Sequence, residues 1–143
     1  MSAEIEITGG CLCGKVRYCL RHPPTEIYFC HCGQCRKAQG TAFAASLPIS
    51  ADDFTLTAGA EYLRAYRSSA RKARYFCAHC GSPIYSQVDG TPILRIRAGS
   101  VDCAEALHGV AHIYTADKAS WYRILDELPQ YAAREPSRGG VNF

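Results

Sequence analysis

Seven of the nine cysteines in this 143-residue chain fall into three tight clusters, and their spacing constrains the fold more than any other feature. The clusters are Cys11-Leu12-Cys13, Cys30-His31-Cys32-Gly33-Gln34-Cys35 and Cys77-Ala78-His79-Cys80, the last followed by Gly81; Cys19 and Cys103 stand outside any motif. Zinc takes four ligands near a tetrahedron, with sulfur about 2.3 Å from the ion, so thiols from separate segments must converge on one point. Seven divides as four plus three. Residues i and i+2 of an extended segment project to the same side, so Cys11 and Cys13 present two sulfurs together. Cys77 and Cys80, backed by Gly81, suit a turn that aims both at one point. Together these four close a structural site with no vacancy, one that locks two distant stretches of chain. The middle cluster joins the same-side pair Cys30 and Cys32 to Cys35 through a turn at Gly33-Gln34, and holds a metal without distant help. Three protein ligands leave one position for water or substrate, the arrangement of a catalytic zinc. Iron or an iron–sulfur cluster is the alternative occupant of such thiolates.

The remaining composition sets the context. An odd count of cysteines with no secretory leader in Met-Ser-Ala-Glu-Ile-Glu-Ile favours thiolate chemistry in a reducing compartment over a disulfide framework, and makes the cytoplasm the expected location. No apolar run is long enough to span a bilayer. A net charge of +3 is too slight to drive non-specific phosphate binding, so nucleic acid is not the expected partner. The length fits one domain, expected over residues 1–131, with residues 132–143, rich in Gly, Arg and Ser, expected as a mobile tail.

Period-two alternation between Gly, Pro, Asp and Ser breaks predicts a mainly β chain. Strands are expected at Lys15–Arg21, Glu26–Phe29, Thr41–Leu47, Phe54–Thr57, Tyr62–Arg67, Lys72–Phe76, Pro83–Val88, Ile93–Ala98 and Val110–Tyr114. Helix is confined to a turn capped within Ser50–Asp53 and another over Arg36–Gln39.

Outside the clusters, Cys19 and Cys103 read as buried apolar residues. His31, between two same-side cysteines, is expected to point away from them, as packing or support rather than as a ligand. His79 reads as an exposed knuckle residue, and His22 as a loop residue beside Pro23-Pro24. Arg64, Arg67, Arg71, Lys72 and Arg74 form the most basic stretch. It reads as a solvated strand face, with an acidic small molecule or a phosphate backbone as the functional alternative.

Taken in order, the motifs resemble the glutathione-dependent formaldehyde-activating enzyme family, also called the centromere protein V-like family. Gly10-Cys11-Leu12-Cys13-Gly14 is similar to its first motif, Cys30 to Arg36 to its second, and Phe76-Cys77-Ala78-His79-Cys80-Gly81-Ser82 to its third. His112 to Trp121 is similar to the C-terminal signature, with Ser120 where the family usually has proline. The resemblance spans about Gly9 to Tyr131. It implies a β-tent fold of short antiparallel sheets. It implies two Zn2+ per chain, a structural ion on Cys11, Cys13, Cys77 and Cys80 and a catalytic ion on Cys30, Cys32 and Cys35. It also implies a carbon–sulfur lyase that forms or cleaves a thiol–aldehyde adduct, with glutathione and formaldehyde as substrates. The rival expectations are a lyase acting on a different thiol adduct, a non-enzymatic zinc module binding protein or nucleic acid, and a thiolate redox sensor.

Overall fold

A computed structural model describes residues 6–23 and 25–136 and is built from two sheets. The smaller has three antiparallel strands, β1 (Glu6–Gly10), β2 (Arg17–Arg21) and β5 (Phe54–Ala58), in the order β1-β2-β5. The larger has seven: β3 (Glu26–Cys30), β4 (Ala44–Ser50), β6 (Leu63–Arg67), β7 (Lys72–Cys77), β8 (Pro83–Val88), β9 (Ile93–Arg97) and β10 (His108–Ile113). Their order is β10-β3-β4-β9-β8-β7-β6. The mainly β expectation holds, with one feature it did not contain: β10 pairs with β3 in parallel, whereas the other pairs are antiparallel.

Each predicted strand is present with ends shifted by a few residues, and β8 matches residue for residue. Two differences have a local cause. β1 escaped the sequence reading because Gly9-Gly10 resembles a break; Gly9 is instead required in the strand, since a Cβ there would lie 2.4 Å from the Tyr18 ring. β4 runs through Pro48 to Ser50 instead of stopping at Leu47. Pairing with β3 covers only Ser46, Ala45 and Ala44, so Pro48 stands beyond the end of that pairing and its missing N–H breaks no ladder bond on that side. The one α-helix among the described residues, α1 (Gly33–Gln39), starts three residues before the predicted turn, with Cys32 as its N-cap, and a 3₁₀ turn over Ala51–Asp53 is capped by Ser50.

Alternation along the strands gives the large sheet two unlike faces. One carries Leu47, Ile49, Leu94 and Ile96 onto Tyr18 and Leu20 of the small sheet and Val16 just before β2, all buried, and forms the apolar core. The other is polar. Arg74, Ser86 and Arg95 stand in register across β7, β8 and β9, and Arg97, Ser46 and Tyr28 across β9, β4 and β3.

The segment expected as a tail begins packed onto this scaffold. Tyr114 N–H donates to Ala133 O, and Glu135, buried, accepts from Arg95 at 3.1 Å. The rest of that segment, residues 137–143, lies outside the described residues.

Candidate metal centres

Four thiols meet where the two sheets approach each other. Cys11 and Cys13 follow β1, Cys77 ends β7 and Cys80 lies in the turn after it. Their sulfurs all fall within 4.8 Å of one another, with Cys11 to Cys13 at 3.5 Å and Cys13 to Cys77 at 3.9 Å. A tetrahedron with bonds of about 2.3 Å has edges of about 3.8 Å, so the quartet has the dimensions of a four-thiolate site. All four are free thiols. Left-handed glycines close both turns: Gly14 (φ 82°) donates to Cys11 O and Gly81 (φ 81°) to Cys77 O. Val16 N–H points at Cys11 Sγ at 3.3 Å, and the Ser82 hydroxyl lies 3.2 Å from Cys80 Sγ. That hydroxyl is the main cause holding the Cys80 thiol down at about 5, and such donors favour the thiolate a metal needs.

The second group, Cys30, Cys32 and Cys35, also draws its sulfurs within 4.8 Å. Cys30 ends β3, Cys32 caps α1 and Cys35 lies buried in its first turn. The helix positions Cys35 where the sequence suggested only a turn: its N–H donates to Cys32 Sγ at 3.3 Å. No other His, Cys, Asp or Glu among the described residues joins these three. Their protonation is uneven. The Cys35 thiol is pushed strongly down by hydrogen bonds from Cys30 and Cys32, helped by Lys72 and Arg74, while the Cys30 thiol is pushed strongly up by its neighbours Cys32 and Cys35 and by burial. Thiolates this close repel one another unless a cation joins them, so a metal fits this donor set chemically as well as geometrically.

Both clusters can therefore hold metal ions. Cys19 is half-buried and Cys103 exposed, which corrects the expectation of two buried cysteines. His79 is exposed, edge-on to Tyr62. His31 is fully buried with its ring turned away from the three sulfurs: Nε2 lies 2.8 Å from His112 Nδ1, and His112 Nε2 lies 3.0 Å from Asp126. Burial is the main reason the His31 imidazole is held down at about 4, so it stays neutral behind the cluster.

The polar face of the large sheet forms a cavity of about 240 Å³ beside Cys30, Cys32 and Cys35. Lys72, Arg74, Arg95 and Arg97 line it. This corrects the solvated-face reading: Arg64, Arg67 and Arg71 are exposed, but Lys72 and Arg74 are buried. Arg97, also buried, donates to Ser46 Oγ, Gln39 Oε1 and Arg95 O. Arg74 reaches Gln34 Oε1 at 3.4 Å and Cys35 Sγ at 3.7 Å through Nη2. The signal for these residues was present in the sequence as Lys72-Ala73-Arg74 and Arg95-Ile96-Arg97, two strands alternating cation with apolar residue. Which half faced inward depended on a second sheet covering the apolar side.

Among the described residues, no helix is long and apolar enough to cross a membrane. A crystal structure of a Rhodobacter sphaeroides protein is similar over 86% of this chain and 98% of its own, with a TM-score of 0.57 and 20% identity, which supports the fold. The profile of the glutathione-dependent formaldehyde-activating enzymes matches residues 6–117, a span that contains both sulfur clusters and the cationic cavity. Ordered motifs, two-sheet architecture and profile agree, and the chain belongs to the glutathione-dependent formaldehyde-activating enzyme family.

Proposed function

We propose that this protein is a zinc-dependent carbon–sulfur lyase that forms and cleaves a thiol–aldehyde adduct. The observation that carries the proposal is the contrast between the clusters: four thiols enclose one point between the sheets, whereas three thiols stand at a cavity wall with no fourth His, Cys, Asp or Glu among the described residues. Cys11, Cys13, Cys77 and Cys80 would hold a structural Zn2+, and Cys30, Cys32 and Cys35 a second. The second ion, when bound, supplies Lewis acidity and a soft position for sulfur.

The chain's own residues perform the rest. The reaction joins a thiol sulfur to the carbonyl carbon; the C–S bond forms as the C=O π pair moves to oxygen, which takes a proton, and cleavage runs the same steps backwards. Lys72, Tyr28 and Tyr114 line the cavity and are its candidate proton carriers. Lys72 suits the part, because burial lowers its ammonium to about 8, near the range where a proton is easily given and recovered. The buried guanidinium groups of Arg74 and Arg97 favour a sulfur that arrives as thiolate and an oxygen that gains negative charge.

Glutathione and formaldehyde are the substrates the family suggests. The test mixes zinc-loaded protein with both and follows adduct formation by NMR. Acceleration over the uncatalysed reaction, lost in Cys32→Ser with the fold intact, supports the proposal; no acceleration with any of a panel of thiols and aldehydes overturns it. Lys72 and Arg74, two of the five cations in the basic stretch, are buried, which leaves three at the surface for the rival nucleic-acid-binding reading.

A further inference from the structure

Behind the three thiols runs a chain of hydrogen bonds that the sulfur chemistry leaves unused. His31 stands between Cys30 and Cys32, and its ring is wholly buried among Phe43, Tyr122 and His112. Its Nε2 lies 2.8 Å from His112 Nδ1, and His112 Nε2 lies 3.2 and 3.0 Å from the two carboxylate oxygens of Asp126. The three residues come from separate stretches of chain, 81 and 14 residues apart. His112 is held on both sides: its strand pairs with β3, its N–H donates to Pro129 O, and its O accepts from Tyr131 N–H. Asp126 is held too, since its Oδ1 accepts from Leu128 N–H at 3.1 Å.

The direction of the hydrogens follows from the partners. A carboxylate only accepts, so His112 Nε2 carries a hydrogen. A neutral imidazole has one such hydrogen, which leaves His112 Nδ1 bare and requires the facing Nε2–H to come from His31. The last nitrogen agrees. His31 Nδ1 is buried with no hydrogen-bond partner, and a hydrogen placed there would have no acceptor, which is rare for buried N–H groups. Asp126, whose side chain is 45% exposed, therefore sets the tautomer of two buried rings, the second of them inside the three-thiol loop.

Three thiolates within 4.8 Å of one another drive their segment apart unless its far side is tethered. The His31 N–H, donating to Ile113 O at 2.9 Å, is one tether, and the His31 ring is the other. We infer that Asp126 is a positioning residue for the metal proposed at Cys30, Cys32 and Cys35, acting through the tautomers of His112 and His31. The inference rests on the reading of that trio as a metal site and adds the residues that keep it in shape. Asp126 itself lies outside the cavity lining. Without its carboxylate, His112 can carry its hydrogen on Nδ1, where it meets the hydrogen on His31 Nε2 and breaks the contact.

The test uses the full zinc-loaded chain at about pH 8, above the ordinary imidazole range, with two readouts. Competition with a chromophoric chelator measures zinc affinity at each site, the step absent from Cys32→Ser marking the trio. Nitrogen NMR of the imidazoles shows which ring nitrogen carries hydrogen. In the unaltered protein His31 and His112 are both expected to carry it on Nε2. Asp126→Ala is expected to weaken zinc at the trio about tenfold or more, leave the quartet unchanged, and move hydrogen onto His112 Nδ1. Asp126→Asn, which keeps an oxygen acceptor for His112, is expected to restore both. His31→Phe, which fills the same space without the bond, is expected to weaken the trio as Asp126→Ala does. Unchanged affinity at the trio in Asp126→Ala, or equal loss at both sites, overturns the positioning role and leaves the metal site standing. Hydrogen on His31 Nδ1 in the unaltered protein overturns it as well, and needs no variant to fold. A single zinc in the unaltered protein removes the metal site itself, and with it the role given to Asp126.

Discussion

Replacing Cys13 with serine separates the two sulfur clusters by stability. Cys13 and Cys77 lie 64 residues apart in sequence, so a metal bound by the quartet closes a long loop and lowers the entropy of the unfolded chain. Treated as a cross-link, a loop of that length is worth about 4 kcal/mol at 25 °C. Cys30 and Cys35 are five residues apart, and the same relation gives about 2 kcal/mol. The quartet also ties the small sheet to the large one, whereas the trio joins a strand to the helix that follows it. Cys13 is the right residue to change because it is exposed and gives up no core contact, unlike the fully buried Cys77. For a chain of this size, about 4 kcal/mol lowers the melting temperature by roughly 10 °C. Cys13→Ser is therefore expected to lose one zinc and about that much in a calorimetric scan, with Cys32→Ser losing one zinc and about half as much. A Cys32→Ser variant that melts lower than Cys13→Ser would refute the reasoning, because the local loop would then be the structural one.

Gly59 (φ 85°) would place a Cβ 2.2 Å from Lys15 O, a backbone atom that cannot move aside, whereas Gly90 (φ 80°) has nothing within 4 Å. Gly59→Ala should therefore cost at least about 3 kcal/mol in urea unfolding and Gly90→Ala only about 1 kcal/mol; equal costs would contradict the close approach. Glu135→Ala removes the carboxylate from Arg95 in a pair whose side chains are only 6% and 13% exposed, and should cost about 3 kcal/mol by breaking a buried ion pair on one side. A cost below about 1 kcal/mol would mean that this ion pair contributes no more than an exposed one.

Much of this protein is determined by its sequence alone. Spacing decides which thiols share a side of the chain, since two residues along a strand or three around a turn are local geometry, and alternation identifies nine of the ten strands. The family follows from three ordered motifs. Tertiary structure decided the rest. Lys72-Ala73-Arg74 reads equally well with its cations in water or in a cavity, and only the small sheet, by covering the face of Leu47 and Ile96, turned the cations of β7 and β9 inward onto one site. His112, in the C-terminal motif, meets His31 only because β10 lies beside β3 in a parallel pairing across 81 residues of sequence. Local covalent geometry can place sulfurs from one end of a strand. The meeting of cations from two separate strands depends on sheet order, which no window of residues contains.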